Sequence, residues 1–200
     1  MKTTSINEAL YSAFGNKKLT KADFAKITQL TITQYSLNGV MLEIDFSELM
    51  FFPNLKTITI KDCALDDGNL KYIFATAKSF NFMRCDFSEA TPKAFPKNLE
   101  DVYISDCEGV ASLFNNVKIS YFEINKSVLD QAFCPKTQQL FIAGCSVKNF
   151  DFLLSPPLKK LTISLSQYKA HKKLFDNAPF NVIVLESNGQ FVAGTTGGKK

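Results

Sequence analysis

The sequence predicts an α/β solenoid, a curved parallel β-sheet backed by helices or irregular turns on its convex side, and three observations predict it. An apolar pattern recurs along most of the chain, and within each copy it alternates with polar residues as a half-buried strand does. Four of the five cysteines fall at the same place in that pattern. The segments between copies carry apolar sets of their own, as an outer layer packed on a sheet requires.

The template reads apolar, two residues, apolar, one residue, apolar, two residues, Cys or small polar, one residue, apolar. Leu55, Ile58, Ile60, Cys63 and Leu65 satisfy it, as do Ala77, Phe80, Phe82, Cys85 and Phe87. In Leu99, Val102, Ile104 and Cys107 the last apolar place is taken by Gly109, with Val110 substituting one residue on. Ile119, Phe122, Ile124, Ser127 and Leu129 follow, then Thr137, Leu140, Ile142, Cys145 and Val147. Looser copies are Ile27, Leu30, Ile32, Tyr35, Leu37 at the start, then Leu158, Leu161, Ile163, Ser166, Tyr168, and finally Phe180, Ile183, Leu185, Asn188, Gln190. Measured at the second apolar place, the intervals are 28, 22, 22, 20, 18, 21 and 22 residues.

Iterated in this way, the segment resembles the leucine-rich repeat, of the bacterial type with a Cys/Asn ladder. The resemblance implies about eight repeats. It also implies that the Cys-bearing position turns inward at the strand end, where its side chain bonds backbone groups left unpaired between neighbouring coils. Cys63, Cys85, Cys107 and Cys145 are then rungs of a structural ladder, with Ser127, Ser166 and Asn188 at equivalent places. A metal cluster would need ligands converging at about 2 to 2.3 Å, whereas rungs on neighbouring strands are spaced by about 4.7 to 4.9 Å; no metal is expected. Cys134 lies outside the template and reads as a free surface thiol. The Cys-ending repeats are also similar to those of F-box substrate receptors.

The ends of a solenoid must differ from its middle, because they would otherwise expose core. Residues 1–26 read as a helical N-terminal cap: Ser5 and Glu8 have capping-box spacing, Ala9, Leu10, Ala13 and Phe14 recur at helical intervals, and Gly15 stops the run. A second short helix is expected from Thr20 to Lys26. Asn38-Gly39 and Asn188-Gly189 each sit between alternating segments, the hairpin signal; the second hairpin is expected to cap the C-terminal edge. The solenoid is placed at 27–192 and a disordered tail at 193–200. "DGNLKYIFATA" and "SQYKAHKKLF" read as helices, and "SEATPKAFPKN" as irregular. Outer-layer positions are Leu70, Ile73, Phe74, Phe95, Leu113, Phe114, Leu129, Phe133, Phe150, Phe152, Leu153, Leu174 and Phe175.

With 46% apolar and 12% aromatic residues in 200, the chain has material for a continuous core. The net charge of +4 comes with lysines scattered along the chain, so neither nucleic acid nor a membrane surface is nominated as a partner. No secretory leader or spanning run is legible, which leads us to expect a cytoplasmic protein. There is no Gly-rich phosphate loop, no H-E-x-x-H and no G-x-S-x-G, and the lone histidine, His171, lies among lysines of an outer helix. A non-enzymatic chain with no cofactor is expected.

Template positions 3, 5, 7 and 8 face away from the core and are free to serve function. The middle copies place Tyr103, Tyr121 and Phe141 there as neighbours, surrounded by Met83, Arg84, Asp101, Asp106, Glu123 and Lys126; the last copy contributes Val182, Val184, Glu186 and Ser187. Aromatic anchors within a charged surround have the composition of a protein-binding hot spot, and the expected role is that of an adaptor, inhibitor or immunity-type partner. The alternatives are cross-strand pairs serving only the sheet, or a carbohydrate or other small-ligand site, in a receptor or an enzyme, built on the same aromatic and acidic residues.

Overall fold

Ile58 and Ile60 are completely buried while Thr57, Thr59 and Lys61 around them are half-exposed, and the same two-residue alternation recurs in the strands Gln29–Thr33, Ser79–Met83 and Asn181–Leu185. The structure, a computed structural model, describes residues 6, 20–34, 36–37, 40–41, 44–110, 113–115, 117–129, 133, 135–154 and 158–195. The fold is α/β with mostly parallel strands, and the chain divides into two units, Met1–Pro96 with Cys107–Gly109 and Lys97–Asp106 with Val110–Lys200.

In the first unit, β1 (Gln29–Thr33), β4 (Thr57–Lys61) and β5 (Ser79–Met83) pair in parallel, with Leu30 opposite Ile58 opposite Phe80 and Ile32 opposite Ile60 opposite Phe82. The helix α1 (Lys21–Phe24) starts at Thr20, whose side chain accepts from the Asp23 N–H while the Asp23 carboxylate accepts in return. Two short strands, β2 (Ser36–Leu37) and β3 (Val40–Met41), form an antiparallel pair around the Asn38-Gly39 position. Helix α2 (Asp67–Thr76) is capped by Asp66 and buries Leu70 and Ile73. Phe74 on the same helix meets the rings of Phe80 and Phe95 at 4.9 Å each.

In the second unit, β6 (Asn98–Ser105), β7 (Lys118–Leu129), β8 (Lys136–Val147), β9 (Lys160–Ser164) and β10 (Asn181–Leu185) are parallel, and β11 (Phe191–Thr195) returns antiparallel to β10. The core row runs Val102, Phe122, Leu140, Leu161, Val182. Behind it, phenylalanine rings follow one another from Phe114 to Phe122 to Phe133 to Phe152, then through Phe150 to Phe175, with centroids 5.1 to 6.2 Å apart. Helices α3 (Leu165–Ala170) and α4 (Lys172–Asp176) meet at His171, an exposed residue whose ring lies 4.8 Å from that of Phe150.

A backbone device recurs in four of the copies. Asp62, Arg84, Asp106 and Lys126, all at template position 8, have φ between 50° and 58°, the left-handed region that non-glycine residues seldom occupy. The turn they make swings the next residue, Cys63, Cys85, Cys107 or Ser127, into the interior. Past that corner the chains pair again, as Ala64 with Asp86 and Asp86 with Glu108 in the first unit, and Val128 with Ser146 in the second.

The cysteine rungs bond in a regular way. Cys85, Cys107 and Cys145 donate to the carbonyls of Ile60, Phe82 and Ile124, each at template position 6 of the preceding copy. In return Cys107 accepts the Cys85 N–H, and the N–H groups of Cys63 and Ser127 reach Cys85 and Cys145. Ser127 and Cys63 bond the carbonyls of Asn125 and Lys61.

Five expectations need correction. In β10 the buried residues are Val182 and Val184, not Ile183 and Leu185, so the last interval is 21 residues, from Leu161 to Val182. A one-residue change of phase exchanges the two faces of a strand, and the apolar run "VIVL" does not declare its own phase. Ser166 is exposed on α3, and the rung is filled instead by Gln167, whose amide donates to the carbonyls of Ile142 and Cys145 while Ser164 and Gln167 close a capping box. Asn188 caps its own turn, its side chain accepting from the Gln190 N–H, and Gly189 supplies φ of 82° there. Strand β11 runs through Thr195, three residues into the predicted tail, held by the pairing of Val184 with Ala193 and Val182 with Thr195. Leu174 is exposed, since Phe175 takes the inward place on α4. The first predicted helix, apart from the buried, helical Ile6, together with the Asn38-Gly39 turn residues, Cys134, Tyr35 and residues 196–200, lies outside the described residues.

The ladder predicts an alkaline instability. Burial pushes the Cys63 and Cys145 thiols from 9.0 up to about 11, and Cys85 is also pushed up, by its bond with Cys107 and then by burial. The unfolded chain therefore loses these protons first. Cys63 and Cys145 each contribute their full stabilisation below pH 9 and lose roughly 2–3 kcal/mol of it as pH rises through 11. Urea midpoints measured from pH 8 to 11 should fall steeply beyond 9, and Cys145→Ala should flatten that slope. An unchanged slope would show that Cys145 is not shielded.

Candidate functional site

Positions 3 and 5 of the template form two rows on the outward face of the second unit, where Thr162, expected to be exposed, is buried. One row runs Asp101, Tyr121, Gln139, Lys160, Asn181, and the other Tyr103, Glu123, Phe141, Thr162, Ile183. Tyr103 and Tyr121 are therefore diagonal neighbours, within reach of each other's rings. Their centroids are 5.4 Å apart at an interplanar angle of 42°.

Phe141 does not join that pair directly. Glu123 stands between it and Tyr103 in their shared row, so the half-buried Phe141 lies two strands from Tyr103 and, on the strand next to β7, diagonal to Tyr121. The template puts Tyr103 and Phe141 at position 5 and Tyr121 at position 3, and strand register turns those positions into rows.

Glu123 organises this surface. One carboxylate oxygen accepts from the Tyr121 hydroxyl at 2.8 Å and the other from the Asn125 amide at 2.7 Å. All three residues lie on β7, two apart, so the strand itself holds them on one face. Across from Asn125 lies Gly144, where a Cβ would stand 2.9 Å from the Asn125 side-chain oxygen. Tyr121 is thereby held as a fixed platform, and Tyr103, 37% exposed, projects beside it. Burial, the hydrogen bond to Glu123 and its charge push the Tyr121 phenol well above its usual range; burial, Asp101 and Glu123 raise that of Tyr103. Both hydroxyls stay protonated at neutral pH, and the Tyr121 proton is committed to Glu123.

Asp106 and Lys126 sit at the left-handed corners beyond Ser105 and Asn125, both exposed, with the Asp106 N–H donating to the Asn125 carbonyl. Met83 and Arg84 belong to the first unit. There Arg84 forms a two-pronged pair with Asp62, Nε to Oδ1 at 2.6 Å and Nη2 to Oδ2 at 2.9 Å, which holds the Asp62 carboxyl below its usual range.

Features the sequence reading passed over include an open cavity of about 780 Å³ in the second unit, whose lining includes Ser146, Ser164, Ser166, Lys169, Glu186 and Ser187. Others are the exposed apolar pairs Met50–Phe51 and Phe191–Val192. Gln167 alone carried a legible signal, its S-x-x-Q spacing from Ser164. Among the described residues no three His, Cys, Asp or Glu side chains converge as metal ligands, and no helix is long and apolar enough to cross a membrane. No family model, no curated protein and no solved structure matches this chain.

Proposed function

We propose that this chain is a leucine-rich-repeat interaction module of bacterial type, with about eight repeats between a helical N-terminal cap and a hairpin C-terminal cap. Acting in the cytoplasm without catalysis, it binds a partner protein through the Tyr103–Tyr121 surface. The observation that carries this reading is the platform itself: an exposed tyrosine beside a second one whose hydroxyl is fixed by Glu123. Rigid aromatic side chains present large contact area with little conformational entropy left to lose on binding, which suits an interface anchor. Asp101, Asp106, Glu123, Lys126 and Phe141 form its surround. Glu123, the carboxylate that an acid–base mechanism would enlist, already has both oxygens occupied, which favours binding over catalysis.

The test is affinity capture with the wild-type chain and with Tyr103→Ala combined with Phe141→Ala. A stoichiometric partner should be recovered by the wild type and bound at least roughly thirtyfold more weakly by the double variant, the effect of losing about 2 kcal/mol. Its melting temperature should stay close to the wild-type value. Equal capture by both proteins would sink the proposal. A second reading, a receptor for a polar small molecule, is favoured by the serine-lined cavity; a thermal shift with carbohydrates that Ser164→Val suppresses would select it.

A further inference from the structure

Scattered in sequence, the lysines of the second unit are gathered by its parallel topology. Because β6 to β8 all run the same way and start in register, their first residues share one edge of the sheet, and β9 starts three residues further along, opposite Gln139. Lys97 immediately precedes β6, Lys118 and Lys136 open β7 and β8, and Lys159 and Lys160 stand at the start of β9. Lys118 lies directly opposite Lys136 and next to Asn98, the Lys118 N–H donates to the Lys97 carbonyl, and the Lys159 N–H donates to that of Gln138. Glu100 and Asp101 on β6 are the carboxylates nearest this edge in the strand register.

Like charges placed opposite each other on paired strands oppose folding, yet here they border an open cavity of about 380 Å³. It is lined by Asn98, Lys118, Ser120, Lys136 and Gln138 over the apolar floor of Leu99 and Ile119. That volume is at the low end of small-molecule clefts, about 300–1,000 Å³. Two ammonium groups, one hydroxyl and two carboxamides form a set of donors suited to phosphate oxygens. The strand spacing of about 4.7 to 4.9 Å sets the Lys136 charge beside that of Lys118, so a ligand with several linked anionic groups gains more than a single one. We propose that this edge is a binding site for a small oligophosphate, held by Lys118 and Lys136 with Ser120 and Gln138 as neutral donors.

Titration calorimetry with sodium tripolyphosphate at about 0.15 M salt tests it on the full chain. One equivalent should bind the wild type, shifting backbone amide resonances at Ser120 and Gln138, and orthophosphate should bind more weakly. Lys118→Gln with Lys136→Gln should weaken binding by about tenfold or more, since each substitution removes a charge-assisted contact, whereas Lys118→Arg with Lys136→Arg should retain it. The Gln double variant should melt no lower than wild type, because it removes a repulsion. Lys56→Gln with Lys78→Gln, which neutralises the lysines before β4 and β5 of the first unit, should leave binding unchanged. Absence of binding, equal weakening in the two Gln pairs, or tighter binding of a single-stranded oligonucleotide would each overturn the proposal.

Discussion

Phe122→Ala should lower stability by about 3–5 kcal/mol, the largest loss expected for any single truncation in the second unit. Phe122 is completely buried at the middle of β7, between Val102 and Leu140 in register, with the rings of Phe114 at 5.1 Å and Phe133 at 6.1 Å. Removing the ring takes a shared wall from both neighbours, and two paired strands leave little freedom to close the gap. For a chain of this size the loss corresponds to a fall in melting temperature of roughly 10 °C. Far-ultraviolet circular dichroism during urea or thermal unfolding measures it. Phe51→Ala is the natural control: that ring is 65% exposed and its loss should be close to neutral. Similar effects at the two positions would mean that the phenylalanine chain behind the sheet is not a packed core.

The second large effect is expected at Gly109, the residue that interrupts the template where an apolar side chain was anticipated. Its φ is 72°, and a Cβ built on it would stand 2.8 Å from the Phe87 carbonyl carbon and the Ser88 nitrogen. Those atoms are backbone, anchored by the bond from the Phe87 N–H to the Glu108 carbonyl, and cannot swing aside as a side-chain tip can. Gly109→Ala should therefore lose the left-handed preference, about 1–2 kcal/mol, with a clash added to it. Gly189→Ala separates the two effects. Gly189 has φ of 82° and open space within 4 Å, so only the conformational loss applies. If both substitutions destabilise equally, the close approach of Gly109 to Phe87 does not persist in solution.

Much of the architecture was legible because strands buried on one face leave a period of two, and that period is a property of local sequence. The pairs Leu30/Ile32, Ile58/Ile60, Phe80/Phe82, Val102/Ile104, Phe122/Ile124, Leu140/Ile142 and Leu161/Ile163 are all buried as their spacing predicts. The cysteine positions were legible for the same reason, as were the antiparallel pairs flanking Asn38-Gly39 and Asn188-Gly189. Phase failed at β10, where four consecutive apolar residues satisfy either face.

The surface was less legible than the core. Tyr103 and Tyr121 were correctly assigned to the outward face, yet whether two outward residues touch depends on which row each occupies, and a row is made by pairing with a neighbouring strand. The left-handed corners were hidden because Asp, Arg and Lys announce no such conformation, unlike glycine.

What the chain determined by itself was periodic and local: which residues face inward, where the rungs fall, where the strands turn back. Tertiary structure alone decided what meets across strands. It set the Tyr103 ring beside that of Tyr121, placed Gln167 in the cysteine ladder, and lined up Lys118 with Lys136, residues separated along the chain and adjacent in the sheet. The physical reason is that burial is encoded one strand at a time, whereas a site is assembled from register, and register exists only once strands are paired.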